Sequence, residues 1–332
     1  MDNFSEKLIE HLTSYKQSKL HLDKHGLFKN KEYKHILVEG DLDLNYLPSI
    51  RKDVIESLVD VKRHVYFDHL NSSQAACFNL FVPLSLDKNL SNQVFVDLIP
   101  GFKELLSIKF EYSDPKDYLN ERKGRNDNKH NIGTDSDIAI FYLNQEDEKC
   151  LCLLEHKLTE KEFTNCNAIK SKNNHNKDKC YNFKQIWLNT EYCYYQSGKK
   201  YNYWHLTKNS NTFFDTSVLL AHEGICPFKG SNQQLWRNML MAQAIESDPE
   251  NLIQKAYFGV VYHQENEKLF RTKKTFKSDN VADEFKHILS EKDKFFLITI
   301  QQILAEVKKN SSLVPIWVEE YEEKYINLKL KY

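Results

Sequence analysis

Two short apolar segments, separated by a polar turn, constrain this chain more than any other feature of its sequence. Residues 138–143 and 150–157 flank the polar residues 144–149. This pattern is typical of an antiparallel β-hairpin that enters the core of a protein. Residues 108–112 and 256–263 are further strand candidates, and a third candidate at 295–300 runs into a helix.

The composition favours helices around these strands. Only 9 Gly and 7 Pro occur among 332 residues, which disfavours architectures rich in tight turns. Residues 113–133 are charged and turn-rich, so we expect them to be exposed. Helical patterns cover residues 4–20, 51–70, 73–81, a segment ending near 106, 185–196, 212–224, 233–246, 282–290 and 317–330. The order of helices and strands predicts an α/β fold with a central mixed β-sheet flanked by helices.

Charge and hydropathy exclude some classes of protein. The 46 basic and 47 acidic residues give a net charge of −1, so no overall basic field marks a nucleic-acid-binding protein. The apolar runs are far shorter than the ~20 residues that a membrane span needs. The N-terminal residues lack the pattern of a secretory signal, so we expect a cytoplasmic protein. In that compartment the 7 Cys are expected to be thiols or metal ligands rather than disulfides.

The ends of the predicted hairpin carry charged side chains. Asp137 directly precedes one strand, and Glu155 and Lys157 end the next. Because strand side chains alternate, Glu155 and Lys157 share a face and His156 points away. The hairpin can bring Asp137 beside Glu155, where Mg²⁺ would relieve the repulsion of two carboxylates. A metal and a lysine at one point suit phosphodiester hydrolysis.

Another interpretation of these residues is purely structural. Asp137 would then cap a turn, and Glu155 and Lys157 would form an ion pair at a strand end. Asp135 is a second candidate for the acidic position, and we prefer Asp137 because it abuts the apolar strand.

These residues resemble the signature of the PD-(D/E)XK nuclease superfamily, an acidic residue before one strand and Glu-x-Lys on the next. The resemblance extends to an uncharacterised bacterial branch of that superfamily and covers approximately residues 71–243. The further short sequence motifs that carry this resemblance are Ser72-Ser73-Gln74, Cys77-Phe78-Asn79-Leu80-Phe81, Phe110-Glu111-Tyr112, Glu121-Arg122 and Thr159-Glu160. His156 departs from the pattern, because the residue between Glu and Lys is usually apolar.

The resemblance implies a restriction-endonuclease-like core and a nuclease that depends on Mg²⁺ or Mn²⁺. Asp137 and Glu155 would be the metal ligands and Lys157 the catalytic lysine. Nucleic acid, with DNA favoured, would be the partner, and defence against foreign DNA follows only by analogy. We expect a helical N-terminal extension at 1–70, a nuclease-like core at 71–305 with a Lys/Asn-rich insertion near 165–184, and a C-terminal helix packed on the core at 306–332.

Three residues are candidates for auxiliary roles near this site. Glu111 ends a strand candidate and would supply a third carboxylate, unless it is a solvated strand end. Gln234 and Arg237 open a helix, where they would reach a scissile phosphate or the attacking water. The alternative is an ordinary helix start with Asn232 as its cap.

Basic and cysteine residues after the second strand have two interpretations each. The lysines of the insertion would track phosphates, or would belong to a solvated loop; they are Lys170, Lys172, Lys177, Lys179 and Lys184. Four cysteines would bind zinc or an iron–sulfur cluster, or would be scattered buried thiols; they are Cys166, Cys180, Cys193 and Cys226. Two other functions therefore stay open, an inactive nucleic-acid-binding or regulatory module and a cysteine-ligated metal protein.

Overall fold

The computed structural model describes residues 4–122, 133–271 and 278–328 of the chain. The N-terminal segment contains helix α1 (Phe4–Ser18), a small antiparallel hairpin of β1 (Gly26–Phe28) and β2 (Lys31–Tyr33), and helix α2 (Arg51–Ser57). It continues through an irregular stretch to α3 (Ser73–Leu86) and α4 (Lys88–Phe95). Helix α3 is apolar and largely buried, as expected of a helix inside the protein rather than on its surface.

A five-stranded mixed sheet forms the centre of the molecule. Its strands are β3 (Phe102–Ser113), β4 (Asp135–Asn144), β5 (Lys149–Lys157), β6 (Lys255–Tyr262) and β7 (Phe295–Thr299), in that spatial order. Strands β3, β4 and β5 pair antiparallel, whereas β5, β6 and β7 pair parallel. The predicted mixed α/β fold and the predicted hairpin are therefore confirmed.

Helices cover both faces of this sheet. Those between β5 and β6 are α5 (Phe183–Leu188), α6 (Tyr194–Ser197), α7 (Tyr203–Lys208), α8 (Thr216–Ala221) and α9 (Asn232–Ser247). Later come α10 (Val281–His287), α11 (Ile300–Asn310), α12 (Ile316–Tyr321) and a π-helical turn at Glu322–Ile326. None of the helices in the described part of the chain is long and apolar enough to cross a lipid bilayer.

Strand β5 explains how one sheet serves two hydrophobic cores. Cys150, Cys152 and Leu154 pack into the core that contains α1, α3, α11 and α12, whereas Leu151 and Leu153 pack into the core that contains α5 to α10. A strand covered on both faces can be a continuous apolar run, which is what residues 150–154 are. The charged residues follow where this run ends.

Several predicted elements have different bounds in the structure. A helix over 51–70 is wrong beyond Ser57, because Val59 and Val65 are exposed and loops bury the other apolar residues. The helix expected to end near residue 106 is also wrong, since β3 begins at Phe102. The segment 113–133 is not simply exposed: Asp114, Leu119 and Glu121 are buried, and 123–132 lie outside the described residues.

Three of the predicted later helices are shorter or broken. The pattern over 185–196 divides into α5, a 3₁₀ turn and α6, with Asn189 in an extended conformation between them. The helix over 212–224 shrinks to α8, which Asp215 caps. The helix over 317–330 is replaced by α12 and the π-helical turn, and residues 329–330 lie outside the described part.

The two terminal segments share one core with the sheet. Phe4, Leu8 and Leu12 of α1 lie in the same hydrophobic cluster as Trp317 and Tyr321 of α12. The N-terminal segment is not wholly helical, since it includes the β1–β2 hairpin, and the C-terminal segment holds more than one helix.

Candidate active site

A cavity of about 440 Å³ lies where β5 ends and α3 begins. The predicted residues Glu111, Asp137, Glu155, Lys157 and Gln234 all line it. Its other lining residues are His64, Tyr66, His69, Asn71, Ser72, Ser73, Gln74, His156, Thr159, Glu160 and Thr164. The structure thus gathers one cationic and several acidic side chains around a single space.

Strand register brings the acidic residues together. Ile138 pairs with Leu154 across β4 and β5, so Asp137 lies near the residues that follow Leu154. Oδ2 of Asp137 accepts a hydrogen bond of 2.6 Å from the backbone N–H of His156. This bond fixes the Asp137 carboxylate between Glu155 and Lys157 along the neighbouring strand.

Glu155 is buried, and both of its carboxylate oxygens accept hydrogen bonds. Gln234 donates to its Oε1 at 2.6 Å and Asn238 donates to its Oε2 at 3.0 Å. Lys157 Nζ lies 2.9 Å from Oε1. A buried carboxylate is tolerated only with such partners, and both amides come from one face of α9.

The orientation of the Gln234 amide is set by a second contact. Its Oε1 accepts a hydrogen bond of 2.9 Å from the backbone N–H of Thr164. The NH₂ group must therefore face Glu155, since the carbonyl oxygen is already directed to Thr164.

Lys157 is a charged side chain in a mostly buried position. Burial alone would lower its pKa, but the carboxylates of Glu155, Glu160 and Asp137 outweigh burial and raise the pKa above its usual range. Lys157 is therefore an ammonium group at neutral pH, able to donate hydrogen bonds into the cavity.

The pKa values of two acidic groups at this site are also raised, which for a carboxyl group favours the neutral form. Burial, followed by the charges of Glu155 and Glu111, raises the pKa of Asp137 well above its usual value. Burial, with smaller contributions from Asp135 and Glu155, raises the pKa of Glu111 to about 7, against the lowering effect of the hydrogen bond from Gln74. Burial and, to a smaller extent, the neighbouring charges thus destabilise the anionic forms of Asp137 and Glu111, and a bound cation would relieve this.

Glu111 reaches this site through an unusual backbone conformation. Phe110 pairs with Ile138 and Tyr112 with Ser136, so Glu111 lies level with Asp137 on the adjacent strand. Its φ of 46° lies in the left-handed region that glutamate seldom adopts. Its carboxylate accepts a hydrogen bond of 2.8 Å from Gln74 Nε2, which anchors it at the cavity.

The donor set fits a hard divalent cation. Oδ1 of Asp137 accepts no hydrogen bond from any residue that the structure describes, and the remaining ligands at hand are carboxylate oxygens. Within 4–122, 133–271 and 278–328 no three His, Cys, Asp or Glu side chains form a ready metal cage. Mg²⁺ is usually held by one or two carboxylates, waters and substrate phosphates rather than by such a cage.

His156 finds a partner behind the strand. Ser73 Oγ lies 3.1 Å from His156 Nδ1 and donates to the backbone oxygen of the same residue at 2.7 Å. Burial, assisted by the charge of Lys157, lowers the pKa of His156 to about 3, so the ring is neutral at physiological pH. A neutral imidazole facing the core is compatible with the fold of the strand.

Arg237 does not reach the cavity. Its guanidinium Nη1 lies 3.9 Å from Oε1 of Glu121, and Tyr203 and Thr134 donate hydrogen bonds to the same carboxylate. Arg237 therefore belongs to a separate buried network near the start of β4, and its predicted contact with a phosphate has no support in this geometry.

The predicted lysines and cysteines also lie elsewhere. None of the lysines at 170, 172, 177, 179 and 184 lines the cavity, and Lys179 pairs with Asp178 at 3.2 Å. Lys170, Lys177 and Lys179 lie in short 3₁₀ turns, and Lys184 lies in α5. Cys180, Cys193 and Cys226 are buried and Cys166 is partly buried. The described residues include no group of three or more of them placed to bind a metal.

The sequence placed Asn238 beside Gln234 at the start of a helix, but it did not predict the contact of Asn238 with Glu155 or of Gln74 with Glu111. Asn238 follows Gln234 by one helical turn, so the i, i+4 spacing on α9 was the available signal. Gln74 and Ser73 lie in one of the short motifs shared with the bacterial branch, but the sequence did not show which residues they hydrogen-bond to.

Comparison with protein families gives a match to restriction endonucleases associating with ARP, over residues 10–326. The match is wider than residues 71–243 and includes both terminal segments and every residue that lines the cavity. No curated protein and no solved structure matches the chain.

Proposed function

The chain belongs to the family of restriction endonucleases associating with ARP, and on that premise we propose that it hydrolyses phosphodiester bonds of DNA with a divalent metal ion. The observation that carries the proposal is the cavity in which Asp137, Glu155 and Lys157 meet. A charged lysine beside Asp137, whose pKa is raised, suits a reaction in which negative charge builds up on a phosphate.

In this proposal Asp137 and Glu155 hold the metal ion, and Glu111 supports it from the adjacent strand. Mg²⁺, when bound, stabilises charge on phosphoryl oxygens and lowers the pKa of water. Gln234 and Asn238 keep the Glu155 carboxylate in one orientation, so little reorganisation is needed when substrate arrives.

Lys157 would act on the attacking water or on the phosphate itself. Its ammonium group lies 2.9 Å from Glu155, so it can donate a second hydrogen bond to a water or to a non-bridging oxygen in the cavity. Because it stays protonated, it stabilises the transition state as a cation and does not remove a proton.

The family description names an association with ARP, and we infer that this chain has such a partner too. The restriction-endonuclease family also supports a role against foreign DNA. A tagged chain purified from its native cells should retain the partner, and recovery of the chain alone would contradict the inference.

The proposal is tested by cleavage of supercoiled plasmid, linear duplex and single-stranded DNA with Mg²⁺, Mn²⁺ or EDTA. We expect metal-dependent cutting by the wild type and a loss of about 10²–10⁴-fold in Lys157→Met and Glu155→Gln. Lys103→Met is the matched control, because Lys103 is an exposed lysine paired with Asp147 at the other end of β4.

Metal affinity separates a dead site from one that merely lacks its substrate. Calorimetric titration with Mn²⁺ should show binding that Asp137→Asn weakens and Lys103→Met leaves unchanged. Absence of both metal binding and cleavage would favour a binding or regulatory module that retains the fold.

A further inference from the structure

Aromatic rings from the N-terminal segment form part of the cavity wall. His64, Tyr66 and His69 line the cavity together with the catalytic candidates. Tyr66 lies 5.2 Å from His64 and 5.6 Å from His69, and Phe28 packs edge-on against Tyr66 at 5.5 Å, all between ring centroids. We call these four residues the ring wall.

The ring wall is accessible as well as contiguous. Tyr66 is 43% exposed, and its hydroxyl makes no hydrogen bond to any described residue. Exposed aromatic side chains that border a cavity are typical of binding surfaces. Burial lowers the pKa of His64 and His69, so these rings are neutral at pH 7 and offer faces rather than charge.

The ring wall is held rigidly on the protein. Leu37 N–H donates to Asp68 O at 2.8 Å, and Leu70 N–H donates to His35 O at 3.1 Å. A β-bridge joins Ile36 to His69. These backbone contacts fix the loop that carries Tyr66, so a ligand would meet a preformed surface.

Positive charge lies next to these rings. Lys29 and Lys31 of the β1–β2 hairpin and Lys34 directly after it are exposed, and Lys29 Nζ lies 5.1 Å from the centroid of the Phe28 ring. Rings that accept bases, beside lysines that follow phosphates, are the combination by which proteins bind single strands.

We propose that the ring wall is a stacking subsite for an unpaired base beside the scissile phosphate, which makes single-stranded DNA the substrate of this site. The inference rests on the proposed function and names its substrate class. Bases in a duplex are covered on both faces by their neighbours, so only an unpaired or extruded nucleotide can present a face to Tyr66. A cavity of about 440 Å³ falls within the range of sites for small ligands.

The test is binding of a labelled single strand of about 12 nucleotides in EDTA, where no cleavage occurs, by fluorescence anisotropy. Tyr66→Leu removes the ring and keeps apolar bulk, and it should weaken binding about 5- to 150-fold, the usual range for one stacked base. Tyr66→Phe keeps the ring and should bind within about twofold of the wild type, since stacking does not need the hydroxyl.

A second exposed tyrosine provides the matched control. Tyr181 is 59% exposed, lies in the Lys/Asn-rich segment and does not line the cavity. Tyr181→Leu should leave single-strand affinity unchanged. Loss of affinity in Tyr181→Leu but not in Tyr66→Leu would overturn the inference and assign the strand to the lysine-rich surface.

Duplex DNA distinguishes failure of this inference from failure of the proposed function. The wild type should prefer the single strand to the blunt duplex, and Tyr66→Leu should abolish that preference. Lys157-dependent cleavage of duplex, with no effect of Tyr66→Leu on any substrate, would overturn the stacking subsite and leave the nuclease intact. Tyr66-dependent binding without cleavage would support the subsite and count against the nuclease.

Discussion

Glu155 is a buried carboxylate whose charge is balanced by three donors from two different elements. Lys157 comes from its own strand, and Gln234 and Asn238 come from α9. Removing one partner of a buried charge typically costs about 3–5 kcal/mol, because the charge is left unpaired. The site and the packing of α9 on the sheet are therefore energetically linked.

At the residue scale, Glu111 should make stability depend on pH. Its pKa is raised to about 7 from a usual 4.5, so the folded protein binds more protons than the unfolded chain between these values. Stability should therefore fall as pH rises from about 4.5 to 7, by on the order of 1–3 kcal/mol. Glu111→Gln should flatten this dependence, measured by urea denaturation across that range.

The control for this prediction is an exposed acid outside the cavity, such as Glu104, which pairs with Lys88 on the surface. Glu104→Gln should keep the slope of the wild type. A metal-free Glu111→Gln variant that loses stability with pH as steeply as the wild type would contradict the assignment.

The sequence could predict some of these residues and not others. Strand alternation alone places Glu155 and Lys157 on one face and His156 on the other. In the structure Glu155 contacts Lys157 and helix α9, whereas His156 contacts helix α3. The partners of Glu155 lie 79 and 83 residues further along the chain, and their contact depends on how α9 packs. Arg237 has the right chemistry for a phosphate, but its guanidinium faces Glu121 in a separate buried network.

At the element scale, the β1–β2 hairpin depends on one close backbone approach. A Cβ on Gly26 would lie 2.4 Å from the carbonyl oxygen of Leu37, so any side chain there must displace the hairpin. Gly26→Ala should lower the free energy of unfolding by about 1–3 kcal/mol through this overpacking. Chemical denaturation measures it, and single-strand affinity should fall as well if the hairpin positions the ring wall.

Gly40→Ala is the matched control, because a Cβ at Gly40 meets no atom within 4 Å. It should change the free energy of unfolding by less than about 0.5 kcal/mol. Equal stability of the two variants would show that the hairpin tolerates displacement.

Elements with a strong and simple pattern were predictable, and short irregular ones were not. The strands from β4 to β7 and helix α9 follow their sequence patterns within a few residues. The β1–β2 hairpin has only three residues per strand, too few for a periodic signal. The apolar spacing over 51–70 imitates a helix, although Phe67 and Leu70 are buried by a loop instead.

At the scale of the whole molecule, buried hydrogen bonds join the N-terminal segment to the C-terminal π-helical turn. Lys324 is buried, and its Nζ donates to the backbone oxygen of Asn45 at 2.6 Å and to its Oδ1 at 2.9 Å. Asn45 in turn donates to the backbone oxygens of Phe67 and His69, within the loop that carries the ring wall. The C-terminal turn thus supports one side of the cavity.

Lys324 should also leave a signature in the alkaline range. Burial lowers its pKa well below 10.5, so the unfolded chain binds more protons than the folded protein. Stability should therefore gain from this group as pH rises toward 10.5, by at most about 1.4 kcal/mol per pH unit. Urea denaturation of the wild type and Lys324→Met at pH 7 and pH 9.5 should show this gain only in the wild type; parallel changes would contradict it.

No local sequence pattern could predict the burial of Lys324 or its hydrogen bonds to Asn45. Lys324 lies in a segment that reads as an amphipathic helix, where a lysine is ordinarily solvated. Its burial follows from the joint packing of α1, α3 and α12, which sets the environment of the side chain only in the complete fold.

The bond between Asn45 and Lys324 spans 279 residues of chain. At a synthesis rate of about 5–20 residues per second, the ribosome delivers Lys324 roughly 15–60 s after Asn45. The hydrogen bonds between Asn45 and Lys324 cannot form before that time. Those from Gln234 and Asn238 to Glu155 span only 79 and 83 residues and can form much sooner. The nascent chain therefore gains this support of the cavity only after residue 324 has been synthesised, long after the strands that carry the acidic residues.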